Sequence, residues 1–466
     1  MDIPLFGIGL QGKSPVVTSQ YRQNLYYEFE QEADKTRVSV YGTPGYDLFV
    51  TFGDTPARGM FANGDFMYVV HRDTFWEVNN AGVKVSRGTL NTSSGSVYFA
   101  ANATQIMITD GTDGYTYTPS TTTFAEITDG DFPGAVTVTW QDGFFIINKP
   151  DSGKFYISAI NNGASWDALD FATAESEPDN LIRLISNQGE VILFGSTTTE
   201  FWGNTGAADF PYARVTTNEW GLAAVDSLAE FDNSVVYLAK NKMGEVIVTR
   251  LGGYQPEKIS SLELDYLINQ YTTVSDAIGY SYMLGGHPLY VLHFPSAGYT
   301  HLYDGSTNVW SALVSDGETR HRSNYKTQFL NKNYVSDFET GEIFKLSQDV
   351  YTDNGAQIIR KIRGKHFFDN EDNVVVDRLQ ITMETGVGLT TGQGSDPQAM
   401  LRVSKDGGRT YSNEIWTAIG AIGEYQTRVI WDRLGSGRDF VFELAIADPI
   451  KVVITGANIL ARKGKS

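Results

Sequence analysis
The 466-residue chain carries 36 basic and 55 acidic side chains, a formal net charge of −19, and it contains no cysteine. A disulfide framework or a thiolate metal site is thereby excluded, and such acidity disfavours grip on a phosphate backbone, which rests on Lys and Arg. With 25 Tyr, 26 Phe and 47 Gly against 8 Met, the composition fits half-buried strands joined by tight turns better than helices. Met1 to Phe6 lacks a basic n-region, so no secretory signal is expected. No run of apolar residues approaches the ~18 needed for a membrane span.

Residues 1–55 are too few for a core of their own and are expected to run as an arm along the other domains or a neighbouring subunit. Within them, Gly7-Ile8-Gly9-Leu10-Gln11-Gly12-Lys13-Ser14 matches the phosphate-loop pattern letter for letter. That pattern needs a buried strand before it and a helix N-terminus after it, where backbone N–H groups meet the phosphates. Pro15 and Val16-Val17-Thr18 oppose a helix at this point, and no alternating β/α units follow. The segment reads as a flexible glycine arm.

From about residue 56 a pair of short strands recurs. The pairs are 66–70 with 74–78, 104–109 with 115–117, 143–147 with 154–158, 190–194 with 199–202, 234–238 with 244–248, and 288–294 with 299–304. A weaker seventh joins 332–337 to 342–346. Their spacing of about 40–50 residues is that of four-stranded propeller blades. The first strand of each pair is almost continuously apolar, as a strand buried on both faces should be; the second alternates, as a more exposed one should. An all-β fold with a six- or seven-bladed β-propeller over residues 56–355 is predicted, against the alternative of an irregular series of sandwich hairpins. One short helix is expected at 262–268, capped by Ser260 or Ser261.

Near residue 355 the character changes. Residues 1–355 hold about twice as many acids as bases, whereas the remainder is close to neutral. Solubility accounts for such an excess; a sharper reading is that the acidic part lines a channel through which DNA passes without sticking. A basic stretch, 358–365, precedes strand-like runs at 374–381, 400–404, 427–431, 440–444 and 451–454, with a Gly-, Thr- and Gln-rich mobile loop at 385–397. Residues 356–466 are predicted to form a second all-β domain, β-sandwich-like.

Other motifs carry structural explanations. Ser404-Lys405-Asp406-Gly407-Gly408-Arg409-Thr410-Tyr411 resembles the Asp-box of sialidases and other propellers, a hairpin turn whose Asp bonds the turn backbone. A glycosidase needs paired carboxylates at a set separation, and no pair stands out. Asp110-Gly111-Thr112-Asp113-Gly114 and Asp129-Gly130-Asp131 lack the distal Glu of an EF-hand and fit hairpin turns. His71, His287, His293, His301, His321 and His366 form no H-E-x-x-H pair; His293 and His301 are expected to face each other as a packed pair. No catalytic, cofactor-binding or metal residue is assigned, and no enzyme is expected.

The order of several short motifs resembles the packaged-DNA stabilisation, or tail hub and nozzle, proteins of short-tailed phages. The motifs are Arg22-Gln23-Asn24-Leu25-Tyr26, Gly42-Thr43-Pro44-Gly45, Ala57-Arg58-Gly59-Met60, Gln270-Tyr271-Thr272, 287–294, Tyr303-Asp304, Asn308-Val309-Trp310, 404–411, Val429-Ile430-Trp431, Arg433-Leu434-Gly435 and the strand from Val452 to Ile459. The resemblance spans nearly the whole chain. It implies a structural virion protein made in the bacterial host cytoplasm, a ring-forming subunit, a hexamer, below the portal and its adaptor ring. The ring would extend the DNA channel, help retain packaged DNA without sequence-specific binding, and anchor tail fibres or spikes and a needle or plug. The competing reading is a glycan-binding or glycan-degrading propeller of a phage tail.

Overall fold
The computed structural model describes residues 7, 9–32, 35–174, 179–369 and 372–464. Seven antiparallel units succeed one another as the blades of a β-propeller. Six are contiguous in the chain, spanning 57–89, 98–126, 138–173, 181–218, 220–258 and 278–312. The strand pairs read from the sequence are the two middle strands of the blades; an inner strand precedes each pair. The helix Leu262–Ile268 lies between blades five and six, and the Ser261 hydroxyl accepts the Leu264 N–H as its cap.

The expected alternation of the second strand is corrected by the structure. Gly114–Thr118, Lys154–Ala159, Thr199–Asn204 and Tyr299–Asp304 are buried over most of their length, like their partners. Blades stack face to face, so both middle strands are covered on both sides by neighbours. Exposure falls instead on the outer strands, such as Lys84–Thr89 and Thr123–Glu126.

Each blade-to-blade contact has its own apolar core. Tyr68, Val70 and Phe75 meet Ile108, Tyr115 and Tyr117 between blades one and two. Ile192, Phe194 and Phe201 meet Val235 and Tyr237 between four and five. The ring closes where Val50 and Ile343 of blade seven meet Met67 and Val69 of blade one. Each such side chain contributes about 1.5–3 kcal/mol on burial.

Blade seven is built from both ends of the propeller. Its first three strands are Ser323–Phe329, Lys332–Asp337 and Glu342–Ser347, and the fourth is Gly45–Thr51, with Ile343 opposite Val50 and Leu346 opposite Tyr46. Closing the ring with an N-terminal strand turns a one-dimensional stack into a circle without a free end. Gly45 admits no side chain, because a Cβ there would lie 2.3 Å from the Thr352 carbonyl.

The N-terminal residues also build the second domain. Strands Leu25–Glu32 and Lys35–Gly42 form a hairpin that joins Val453–Lys463, Val374–Met383 and Val429–Gly437 in one sheet. Facing it are Arg360–Arg363, Asp439–Ile446, Gln398–Ser404 and Ile415–Ala418. Leu25, Tyr27 and Val40 pack between the two sheets with Val376, Leu379, Trp431, Phe442 and Ile459, giving a β-sandwich. The stretch expected to run as an arm thus supplies two sandwich strands and one propeller strand.

Tyr21–Gln23 joins the domains. It pairs in parallel with the outer strand of blade six, Val309–Ala312, and antiparallel with Arg360–Arg363. One ten-stranded sheet therefore runs from the propeller into the sandwich. The buried Arg22 guanidinium donates to the carbonyls of Gly7, Gly9 and Trp310. Asn24, at φ 55°, donates through Nδ2 to Val314 O (2.8 Å) and Ile359 O (3.0 Å) and accepts the Val314 N–H.

Two outcomes follow from this architecture. A chain lacking residues 1–51 is expected to show no cooperative thermal unfolding by circular dichroism, because blade seven and the sandwich core are both incomplete. Asn24→Ala is expected to lower stability by about 2–4 kcal/mol, read as the urea midpoint, through loss of three hydrogen bonds and strain at positive φ.

Candidate functional site
One of several concave features of the fold lies on the propeller axis. Inner-strand residues of all seven blades, among them Met60, Phe99, Val138, Leu184, Ala229, Gly279 and Tyr325, line an open cavity of about 390 Å³. A polar cluster crosses it. Asp226 accepts hydrogen bonds of 2.6 Å from both the Ser96 and the Tyr98 hydroxyls, and Ser96 Oγ lies 2.9 Å from the Tyr325 hydroxyl. Arg183 donates through Nη1 to Val225 O (2.7 Å), and its guanidinium sits 5.1 Å from the Tyr98 ring centroid.

Lys326 also lines the cavity, and burial pulls its amine down to about 8, opposed by the charge of Glu230. Both cations follow irregularities in their inner strands, where the register shifts between Leu181 and Arg183 and between Ser323 and Lys326. Such bulges re-aim side chains. A cavity of this size has no room for a duplex.

The phosphate-loop match does not form a phosphate site. Ile8 lies outside the described residues. Gly7 and Gly9 direct carbonyls, not N–H groups, at Arg22. Lys13 lies 5.3 Å from the Tyr266 ring centroid, and residues 15–17 form a turn with the Val17 and Thr18 N–H groups on Ser14 O. Leu10 is buried in the core with Leu264 and Ile268. This stretch is pinned to the helix and the domain seam.

The Asp-box resemblance is geometric as well as literal. Asp406 accepts from the Arg409 and Thr410 N–H groups and the Thr410 and Ser404 hydroxyls. These bonds, the Thr410 hydroxyl foremost, hold its carboxyl down at about 2. Asp110 accepts from the Thr112 and Asp113 N–H groups and the Thr92 hydroxyl, and Asp129 from the Asp131 and Trp166 N–H groups. These carboxylates order turns. No group of three or more metal-ligating side chains occurs among the described residues.

His293 and His321 share the Ser323 hydroxyl, and the other histidines have separate partners. His293 pairs across its hairpin with Thr300, and His301 with Leu292. The expectation that His293 and His301 face each other is therefore corrected: adjacent pairs point to opposite faces of a sheet. His301 Nε2 lies 3.0 Å from the Tyr271 hydroxyl, His321 Nδ1 2.6 Å from Ser323 Oγ, and His287 Nδ1 2.8 Å from Asp304. His366 bridges Asp439 and the Pro15 carbonyl, fastening the N-terminal segment to the sandwich.

Four residues of the family-resemblance motifs lie at joints. Besides Arg22 and Asn24 at the domain seam, Arg58 makes hydrogen bonds of 2.7–2.8 Å to Arg72 O, Thr92, Ser94 O and Gly95 O, tying blade one to the loop before blade two. Trp310 Nε1 donates to Ile259 O beside the helix. The axial group of Ser96, Tyr98, Arg183, Asp226, Tyr325 and Lys326 was not legible in the sequence. Its members come from separate blades, and only their shared place on or beside an inner strand links them.

Burial keeps three histidines neutral: His301 falls to about 4, His321 to about 3, and His293 well below its ordinary value. A base with a depressed folded pKa stabilises the fold above its unfolded value of ~6.5 and loses that contribution as pH falls toward the folded value. Asp353, raised by burial to about 7, works the other way. With His71 also lowered and Asp170 also raised by burial, four histidines against two acids give a net fall in the urea midpoint between pH 6.5 and 4, about 3 kcal/mol arising at His301 alone. His301→Gln is expected to flatten this profile.

Comparison with known proteins agrees with both domains. Residues 1–351 match the model of the bacteriophage P22 Gp10 β-propeller, and residues 360–462 that of the bacteriophage P22 Gp10 β-sandwich. The tail hub protein gp10 of Salmonella phage P22 is 24% identical over 339 residues, 69% of each chain. Among solved structures, one in the mitotic checkpoint complex aligns at 10% identity and a TM-score of 0.46 over 69% of this chain and 95% of its own. The WD40 domain of Neurospora crassa Pan2 aligns at 7% identity and 0.42, over 66% and 96%. With both of its domains matched in order, the chain belongs to the P22 Gp10 family of phage tail hub proteins.

Proposed function
We propose that the chain is a structural subunit of the virion of a short-tailed phage, one of several identical copies, taken as six, in a ring below the portal and adaptor. The observation that carries this reading is the ten-stranded sheet running through both domains, in a chain whose two domains both match the family. A hub transmits load between a head and its fibres, and a shared sheet makes propeller and sandwich one stiff body.

The genome passes between copies in this proposal, not along the propeller axis, whose 390 Å³ cavity is far too small. The acidic excess of residues 1–355 suits a conduit wall, because repulsion from phosphates leaves DNA free to slide. Retention of packaged DNA, and anchoring of fibres or spikes and of a needle or plug, are assigned to the outer surfaces of the ring. No catalytic step is assigned. The Asp-box, Asp-Gly turns and phosphate-loop match all have structural partners, and the chain is made in the host cytoplasm before assembly.

Electron microscopy of the protein with its adaptor is expected to show closed rings of this one chain, with no hydrolysis of host polysaccharide in parallel assays. Monomers that degrade or bind such glycans at every concentration would establish the competing glycan-acting function.

A further inference from the structure
Two aliphatic side chains, Leu169 and Val17, are 80% and 79% exposed, and they stand on opposite flanks of the molecule. Leu169 belongs to blade three. Its outer strand, Asn162–Thr173, pairs at Phe171 with Tyr156 and at Trp166 with Ser158, so residues 167–170 bulge out of the ladder. Asp167 accepts the Leu169 N–H at 2.9 Å and fixes the bulge. Val17 belongs to a turn fastened to the sandwich by the bond between His366 and the Pro15 carbonyl. A Cβ on Gly407 would lie 3.7 Å from Val16, and one on Gly408 3.6 Å from Pro15 O, so this turn abuts the Asp-box turn 404–411. The sandwich continues the sheet of blade six outward through Tyr21–Gln23. Blade three lies three places away in a ring of seven, nearly opposite.

The two flanks also differ in charge. Around Leu169, residues 126–131 and 155–174 hold five acids and no Lys or Arg, and the Trp166 N–H on Asp129 joins the two stretches. Lys154, on the partner strand, lies over the Phe171 ring and makes no ion pair among the described residues. Beside Val17 stand Lys365, Lys405 and Arg409, all exposed and without ion pairs among the described residues. The carboxylates of that face are engaged: Glu443 by Arg363 and Arg402, Asp439 by His366, and Asp406 by its own turn. Glu414 is exposed nearby, and the cations outnumber it.

We propose that the Leu169 bulge of one copy seats on the Val17 face of a second copy of this chain, so that blade three of each subunit holds the sandwich of the next. The occupant is the same chain because the two surfaces match in both respects: an exposed aliphatic tip with an acidic surround meets one with a basic surround. They lie on opposite flanks, so neither can be covered by the other within one copy. Such a contact is heterologous, and repeating it through a fixed rotation closes a ring. The inference rests on the ring proposed above and names the surfaces that build it.

Sedimentation velocity of the full chain, with its adaptor, tests the assignment. Asp167→Lys with Asp170→Lys, and separately Lys405→Glu with Arg409→Glu, are each expected to raise the concentration needed for assembly at least about tenfold. An equimolar mixture of the two variants is expected to assemble again, as mixed rings in which the reversed surfaces alternate. Because the chain has no cysteine, Leu169→Cys combined with Val17→Cys gives a second readout that needs no charge reversal. A bis-maleimide is expected to join copies of that chain into a ladder, and to leave either single-cysteine chain unlinked. Assembly of both charge-reversed variants at the parent's concentration, or no ladder from the double-cysteine chain, would overturn these surfaces and leave the ring standing. A parent that stays monomeric at every concentration would overturn the ring and this contact with it. Unchanged rings together with loss of duplex-DNA binding in Lys405→Glu with Arg409→Glu would assign the basic face to the genome instead.

Discussion
Tyr21–Gln23, three residues, fills the gap between the last strand of blade six and the sandwich strand Arg360–Arg363. Without it both sheets would end in a row of unpaired N–H and C=O groups at a buried boundary, which is costly. Its flanks make the insertion specific. The Arg22 guanidinium draws in the carbonyls of the preceding glycine segment and of Trp310, while Asn24 turns the chain at positive φ and holds both Val314 and Ile359. From there the chain can enter the sandwich, return through Gly45–Thr51 to close the propeller, and leave again after blade seven.

The same economy of polar groups explains why so many motif-like stretches lack chemistry. Carboxylates at Asp110, Asp129, Asp226 and Asp406 are held by backbone N–H groups or hydroxyls, and Arg58 by a loop of carbonyls. In a fold made of tight turns between buried strands, Asp, Ser and Thr are needed to satisfy the turn backbone. The carboxylates of the motif-like turns in this acid-rich sequence are thereby committed to the turn backbone. At the inner ends of the blades seven strands converge without a covering layer, and Arg183, Asp226, Glu230 and Lys326 are the charged side chains that line the space.

Much of the fold was legible in the residues. The middle strands of each blade must be apolar to lie between neighbours, so a pair such as 144–147 and 155–157 announces itself. The C-terminal strand runs at 374–381 and 440–444 were legible for the same reason. The inner and outer strands, for example Val138–Gln141 and Lys84–Thr89, were not, since each has only one ladder partner and tolerates polar residues. The second middle strands were read as half-exposed because Tyr and Thr in 115–117 or 299–303 look amphipathic. In the blade Tyr115 and Tyr117 are buried with hydroxyls bonded, Tyr117 donating to Glu77 and Tyr115 accepting the Asn91 N–H.

By itself the sequence determined an all-β repeat, a change of character near residue 355, the capped helix and the absence of thiol chemistry, all properties of local composition and period. Tertiary structure decided what spacing cannot encode. It placed the N-terminal strands in three different sheets, set the blade count at seven by lending blade seven its last strand, and gathered Arg183, Asp226 and Lys326 on one axis. The reason is the same in each case. These contacts join residues far apart in the chain, and their partners are chosen by the geometry of ring closure and by the satisfaction of buried backbone groups, not by any pattern within a stretch of neighbouring residues.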